Sequence, residues 1–271
     1  MSPRRSLSAA VVVGAVTCSL LLPGTSAYAG DPDWARIEVT PGEYVDSAQL
    51  VAVDPRTGSV HVAGNVADAD FTSSVLGLVD YTADGTKLAD RRYYGPSGAG
   101  TLRHEFPEGI AVSPTRATVY VAGRSSTDDS RFFVDTVAWG RTGPPQWSSH
   151  YPLPAGGEVW GLGRNEATGD VYTLASYDTD DGSPGPAQLL LAFGADGTPR
   201  WESTFRVSPL SHTRPKSIAV DRVTGNIYTT GNNFPRGESS VVTIAHDAQG
   251  RLLWSAQVPG QRGVAVAVDP S

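Results

Sequence analysis

Apolar residues along this chain fall in short runs where Val, Ile, Leu and Tyr alternate with polar positions, each run cut by a turn rich in Gly, Asp, Asn and Thr. Alternation with period two predicts half-buried strands, and Gly-containing turns between such runs predict hairpins. The pattern repeats. A first half-motif reads apolar-Ala-Val-Asp, two or three residues, Thr-Gly, a spacer, then Val or Ile followed by Tyr. It stands as QLVAVDPRTGSVHVAGN at 49–65, GIAVSPTRATVYVAGR at 109–124, GLGRNEATGDVYTLAS at 161–176 and SIAVDRVTGNIYTTGN at 217–232. The turn glycines are Gly58, Gly169 and Gly225, with Ala117 standing in once; the separations of 59, 52 and 56 residues suit sheets joined by variable loops rather than a solenoid.

A second half-motif alternates with the first: an apolar run, a turn with Gly, then an aromatic residue four positions later. It appears at 75–95, 133–152, 189–207 and 241–260, where Gly143, Gly197 and Gly250 precede Trp147, Trp201 and Trp254, while Gly85 is followed at that spacing by Ala89. Each unit therefore supplies two hairpins, or four antiparallel strands. Four strands recurring in this way, with almost no helical periodicity, predict an all-β fold, a β-propeller with four complete four-stranded blades. GDPDWARIEV at 30–39 reads as an isolated outermost strand and VAVAVDPS at 264–271 as an isolated innermost one. The two predict either a five-bladed ring with a thin closing blade or an incomplete ring.

SIAVDRVTGNIYTTGN and VVTIAHDAQGRLLWSAQVPGQRGVAVAVD resemble the bacterial β-propeller repeat whose units carry an Ala-Val-Asp…Gly-Asn-x-Tyr-x-x-Gly hairpin beside a Gly-x-x-x-Trp hairpin. The Asp-x-x-Gly-x-x-x-Trp half is similar also to the repeat of pyrroloquinoline-quinone-type propellers. The resemblance covers almost all of the chain after residue 29. It implies blade architecture and no particular activity, because such repeats encode the scaffold rather than the site.

The first residues place Arg4 and Arg5 before an apolar run from Ala9 to Leu22, followed by the small pair Ala27 and Ala29. This is the pattern of a secretory signal peptide at 1–29, leaving 30–271 as a single propeller domain and predicting a secreted, extracellular location. The one cysteine, Cys18, lies within the apolar run, so no disulfide, thiol nucleophile or thiolate metal site is expected in the remainder. Losing two of the 21 Lys and Arg leaves 19 against 28 Asp and Glu, a formal charge of −9. Such an acid balance argues against a nucleic-acid partner. No apolar stretch beyond the signal is long enough to span a bilayer.

Candidate chemistry lies in the loops. Those joining the two hairpins of one blade carry Asp68 with Asp70, Asp128 with Asp129, and Asp178 with Asp180 and Asp181. Clustered carboxylates on flexible loops suit Ca²⁺, although the calcium-loop-like DTDDG has Leu189 where a closing Glu would fall, and Asp, Ser and Gly also make ordinary solvated turns. The loops joining successive blades bring Arg103, His104, Glu108, Glu158, Trp160, His212, Arg214, Lys216 and Arg262 to one face. Of these, His104, Glu108, Glu158, Trp160, His212, Arg214 and Lys216 form the candidate ligand site at the channel mouth, where a His and a carboxylate together suit acid–base work. His61 occupies the position of Tyr120, Tyr172 and Tyr228 and reads as packing, His150 and His246 fall in strand patterns, and Trp147, Trp201 and Trp254 read as core plugs.

No serine-hydrolase elbow, zinc-protease helix, phosphate loop or dinucleotide fingerprint is present. Pyrroloquinoline quinone, to which the resemblance points, often rests on adjacent cysteines in quinone dehydrogenases sharing this repeat, and this chain has none. The expectation is a non-catalytic binding module presenting a loop-lined face to a protein, glycan or small ligand. The alternative is an extracellular enzyme at the channel mouth: a quinone-dependent oxidoreductase, a lactone hydrolase or a polysaccharide lyase.

Overall fold

The structure, a computed structural model, describes residues 46–67, 74–96, 102–127, 130–154, 156–178, 186–208, 212–234, 239–260 and 262–269. Blade 1 comprises β1 (Asp46–Val53), β2 (Val60–Ala67), β3 (Ser74–Tyr81) and β4 (Lys87–Tyr93). Blade 2 comprises β5 (Leu102–Ser113), β6 (Thr118–Thr127), β7 (Phe132–Trp139) and β8 (Pro145–Leu153). Blade 3 follows as β9 (Gly157–Arg164), β10 (Val171–Asp178), β11 (Pro186–Phe193) and β12 (Pro199–Phe205), and blade 4 as β13 (His212–Val220), β14 (Ile227–Phe234), β15 (Ser240–His246) and β16 (Leu252–Pro259). Within each blade the strands pair antiparallel in chain order, and one parallel bridge, Ser74 to Arg103, joins blade 1 to blade 2. The architecture is an all-β propeller, as the repeat predicts.

The repeated turn has a local cause. At the end of three of the four inner strands a short polar side chain folds back onto the turn: Arg56 N–H donates to Asp54 Oδ1 (2.8 Å), Ala167 N–H to Asn165 Oδ1 (2.9 Å) and Val223 N–H to Asp221 Oδ1 (2.8 Å). Such Asx turns offer the backbone a partner outside the ladder and so end the strand. The hairpin then closes through a left-handed residue, Gly58, Gly169, Gly225 or, at φ 50°, Ala117.

The core lies between blades. Leu76, Leu78 and Tyr93 of blade 1 meet Val119, Val121, Val137 and Trp139 of blade 2. Val134 and Leu153 of blade 2 meet Val159, Leu189 and Phe193 of blade 3, and Leu174 and Leu190 of blade 3 meet Ile227 of blade 4. Each fully buried Leu or Ile contributes about 1.5–3 kcal/mol by leaving water. Polar pairs cross the same junctions: the Thr136 and Thr173 hydroxyls lie 2.8 Å apart, and Thr229 donates to Gln188 Oε1 at 3.0 Å.

A cross-strand row of Tyr, Ala and Trp marks blades 2 to 4. Tyr120–Ala138–Trp147, Tyr172–Ala192–Trp201 and Tyr228–Ala245–Trp254 stand opposite one another in register, with tilted Tyr–Trp ring pairs at 5.9, 5.7 and 6.0 Å. The alanine leaves room for the two rings to meet over it. In blade 1 the row reads His61–Asp80–Ala89. His61 therefore does more than pack: its Nδ1 lies 2.7 Å from Asp80 Oδ1, and Arg91 pairs with the other oxygen of the same carboxylate.

The far end of the chain corrects two expectations. Among the described residues, 262–269 enter no ladder; they are tied to blade 4 by Gly263 N–H donating to Asn232 Oδ1 (3.0 Å) and Val266 N–H to Ser217 Oγ (3.2 Å). Trp254 is no core plug among the described residues, since 46% of it is exposed where Trp147 and Trp201 are half-buried. The difference is that blades 3 and 4 cover those two rings. The strand expected at 30–39 and the signal peptide at 1–29 lie outside the described residues.

Candidate ligand site on the inner strands

The four inner strands, β1, β5, β9 and β13, share an irregularity that strand alternation does not reveal. Pairing skips one residue between Ala48 and Leu50, between Pro107 and Gly109, between Val159 and Gly161, and between Pro215 and Ser217. The extra residues are Gln49, Glu108, Trp160 and Lys216. Each stands five positions before the turn residue of its strand: Asp54, Ser113, Asn165 and Asp221. A β-bulge of this kind turns one side chain out of the ladder and re-aims it, which is why bulges recur beside sites.

The neighbouring strand makes room for the bulge. Gly231, the glycine of the Tyr-x-x-Gly segment in blade 4, faces Pro215; a β-carbon there would collide with the Arg214 carbonyl and lie 2.6 Å from Pro215 Cα. Gly64 and Gly123 occupy the same place in blades 1 and 2, and Ala175 fills it in blade 3.

Two of the re-aimed side chains meet across blades 3 and 4, and the third, Glu108 of blade 2, is near enough to Lys216 to feel its charge. Lys216 Nζ lies 3.5 Å from the centroid of the Trp160 ring, a cation–π contact worth about 0.5–1 kcal/mol at an exposed place. Trp160 is held from behind, its Nε1–H donating to Ser176 Oγ at 2.8 Å. Arg124 of β6 ties the start of β9 to blade 2 by donating to the Gly157 carbonyl at 2.7 Å. Burial raises the Glu108 carboxyl above its ordinary value of 4.5; the Glu158 charge adds to this and Lys216 opposes it. Burial likewise draws the Lys216 ammonium below its ordinary 10.5, with Glu158 opposing and Arg214 reinforcing the shift. Both side chains are solvent-exposed, so screening limits the energy of these couplings.

Of the residues expected at this site, Glu108, Glu158, Trp160, Arg214 and Lys216 interact. His212 opens β13 opposite Phe234, four residues before Lys216. His104 lies in β5, and its side chain is outside the described residues. Gln49 was not among the expected residues, although its place five before Asp54, next to the Ala48 that faces the glycine of VHVAGN, is the signal that finds it. Of the carboxylates considered for Ca²⁺, Asp178 ends β10 and is exposed, whereas Asp180, Asp181, Asp68, Asp70, Asp128 and Asp129 lie outside the described residues. Among the described residues no group of three His, Cys, Asp or Glu is placed to hold a metal ion.

The fold and the bulged residues define a β-propeller with a mixed polar and aromatic surface midway along its inner strands. No protein-family model and no curated protein sequence matches the chain. Among solved structures it is similar to a lignostilbene dioxygenase from Pseudomonas brassicacearum, at TM-score 0.45 and 12% identity over 81% of this chain and 52% of that one. It is also similar to an ulvan lyase of a polysaccharide lyase family, at TM-score 0.46 and 8% identity over 86% of this chain and 59% of that one. The chain thus spans between half and three-fifths of the length of these two structures.

Proposed function

We propose that this chain is an exported propeller of the bacterial repeat type its half-motifs resemble, and that it binds a glycan at the ring of bulged residues without transforming it. The observation that carries the reading is that one position of the repeat is occupied in turn by an amide, a carboxylate, an indole and an ammonium: Gln49, Glu108, Trp160 and Lys216. Equivalent positions that serve only the scaffold would hold like residues. An aromatic face ringed by donors and acceptors suits the C–H surface and hydroxyls of a sugar, and rigid strands hold it in place. Lys216 covers that face in the free protein, so the ligand takes the place of its ammonium.

A glycan-array screen of the purified chain, followed by calorimetric titration of what binds, tests this. Trp160→Ala is expected to weaken binding about tenfold or more, the equivalent of ~1.4 kcal/mol, with the far-UV circular dichroism unchanged. Unaltered affinity in that variant would refute the site.

One observation favours a second reading, an enzyme at the same place. Burial and Glu158 raise the Glu108 carboxyl, a shift that readies this group to donate a proton. Assay of a bound glycan for chain cleavage separates the two. Cleavage by the wild type that disappears in Glu108→Gln, with binding retained, establishes catalysis, whereas an intact ligand supports the binding module.

A further inference from the structure

Glycines in the inner strands press the bulges of blades 2, 3 and 4 against one another. A β-carbon on Gly109, the residue after Glu108, would lie 2.6 Å from the Leu162 nitrogen and 2.8 Å from the carbonyl carbon of Gly161, the residue after Trp160. A β-carbon on Gly161 would in turn lie 3.4 Å from Ile218 Cγ2, two residues after Lys216. Strands this close leave no room for a side chain between them, so Glu108, Trp160 and Lys216 emerge from neighbouring points on three blades. Glu158 joins them on the strand of Trp160. It stands opposite Ser176 in the ladder, partners that share a face of the sheet, and Ser176 is the hydroxyl that receives the Trp160 N–H.

The indole face already holds a cation, the Lys216 ammonium at 3.5 Å. Glu108, Glu158, Arg214 and Lys216 are all exposed, and the ion pairs among the described residues involve none of them. Both carboxylates are therefore open to a ligand. The indole is fixed by its bond to the buried Ser176, so the part free to move is the long flexible stem of Lys216. Its departure changes the local charge. With Lys216 in place, two carboxylates face two cations, Lys216 and Arg214; with its ammonium swung into water, Arg214 alone remains against the two. A neutral sugar on the indole leaves that surface negative. A sugar that brings an ammonium of its own restores the balance and keeps the cation–π contact.

We infer, resting on the glycan reading above, that the ligand is a glycan of amino sugars with free amines, one protonated amine taking the place of the Lys216 ammonium over Trp160 and facing Glu108 and Glu158. Lys216 then stands in for the ligand in the free protein and leaves when the ligand arrives. Glu158 is the residue that tells the amine from its acetylated, uncharged form.

Calorimetric titration of the full chain with a β-1,4-linked glucosamine tetramer and with its fully N-acetylated counterpart, in buffer just below neutral pH, tests this. The amine form is expected to bind about tenfold more tightly. Glu158→Gln should abolish that advantage by weakening the amine form alone, and Lys216→Met, which vacates the indole, should tighten the amine form about threefold. Far-UV circular dichroism checks that each variant folds, and should Glu158→Gln fail, Lys216→Met carries the test. Weaker binding of the amine form to Lys216→Met would make the lysine a ligand contact and overturn the inference. Equal affinity for the two tetramers, lost for both in Trp160→Ala, overturns it while leaving the glycan reading in force, as does an array glycan that binds at Trp160 when neither tetramer binds. Amine binding that survives Trp160→Ala is attraction to an acidic protein at large and counts against the inference too. The absence of any glycan ligand overturns both.

Discussion

Replacing Trp201 by alanine removes a half-buried indole that packs on Tyr172 and Gly250 and donates to the Ala248 carbonyl of the next blade. A fully buried Trp→Ala change costs about 3–5 kcal/mol, and the partial exposure of this ring brings its apolar share to about 2 kcal/mol. The lost hydrogen bond adds about 1 kcal/mol, for a total near 3 kcal/mol. Trp254 has the same register and the same tyrosine neighbour, but among the described residues 46% of it is exposed and no following turn covers it. Its replacement should cost about 1 kcal/mol. Equilibrium urea unfolding of both variants, followed by far-UV circular dichroism and compared with wild type at a shared slope, measures the difference. Equal losses would refute the idea that these indoles act by gripping the blade that follows. Losses under 1 kcal/mol in both variants would show that the rings decorate the rim without fastening it.

Three further outcomes are expected. Glu108→Gln should stabilise the protein slightly at pH 7, by less than about 1 kcal/mol given the exposure of the site. A carboxyl raised above 4.5 in the folded state costs stability only when ionised, so the gain should vanish below pH 4.5 in thermal melts, and a gain that persists there would contradict the electrostatic account. His246 is held below its ordinary 6.5 by burial, with Asp247 opposing, so the unfolded chain takes up its proton first. Stability should therefore be complete above 6.5 and decline as pH falls below it, and the melting temperature of His246→Gln should change less between pH 7.5 and 5 than that of wild type. Gly231→Ala drives a β-carbon into the Arg214 carbonyl and should cost about 1–3 kcal/mol in urea unfolding while displacing the Lys216 bulge; a silent substitution would mean that the inner strand is not held against its neighbour there.

The blade architecture is legible in the chain because its determinants are local. Asp54, Asn165 and Asp221 end strands through bonds to backbone two residues away, and Gly58, Gly169 and Gly225 adopt the left-handed conformation that a two-strand return requires. The Tyr and Trp spacings follow from the hairpins those turns close. Blade 1 is harder to read, since the aspartate of LVDY looks like an ordinary polar position until His61 and Arg91 are brought to it from the strands on either side. The bulge ring is harder still. Period-two alternation says which face a residue takes in an unbroken ladder, and the skipped pairing is a property of two strands together, so Lys216 and Glu108 could be placed on a loop-lined face without any indication that they continue a series begun by Gln49. The glycines opposite the bulges carry that information, but they read as turn or spacer residues until a β-carbon is tried there.

The tryptophan contacts give the molecule a direction. Blades 2 and 3 each carry a plug that fits a glycine socket on the blade after it, so the contact belongs to the order of the units rather than to any unit alone. A repeat copied from blade 3 and spliced between blades 3 and 4 would arrive with both halves of the joint, gripping forward with its own indole and receiving Trp201 on its own glycine. The same copy placed between blades 1 and 2 would face Ala89 and find no plug to receive. Growth by duplication is thus easy at one end of the series and obstructed at the other, where an alanine stands in the place of a fastening.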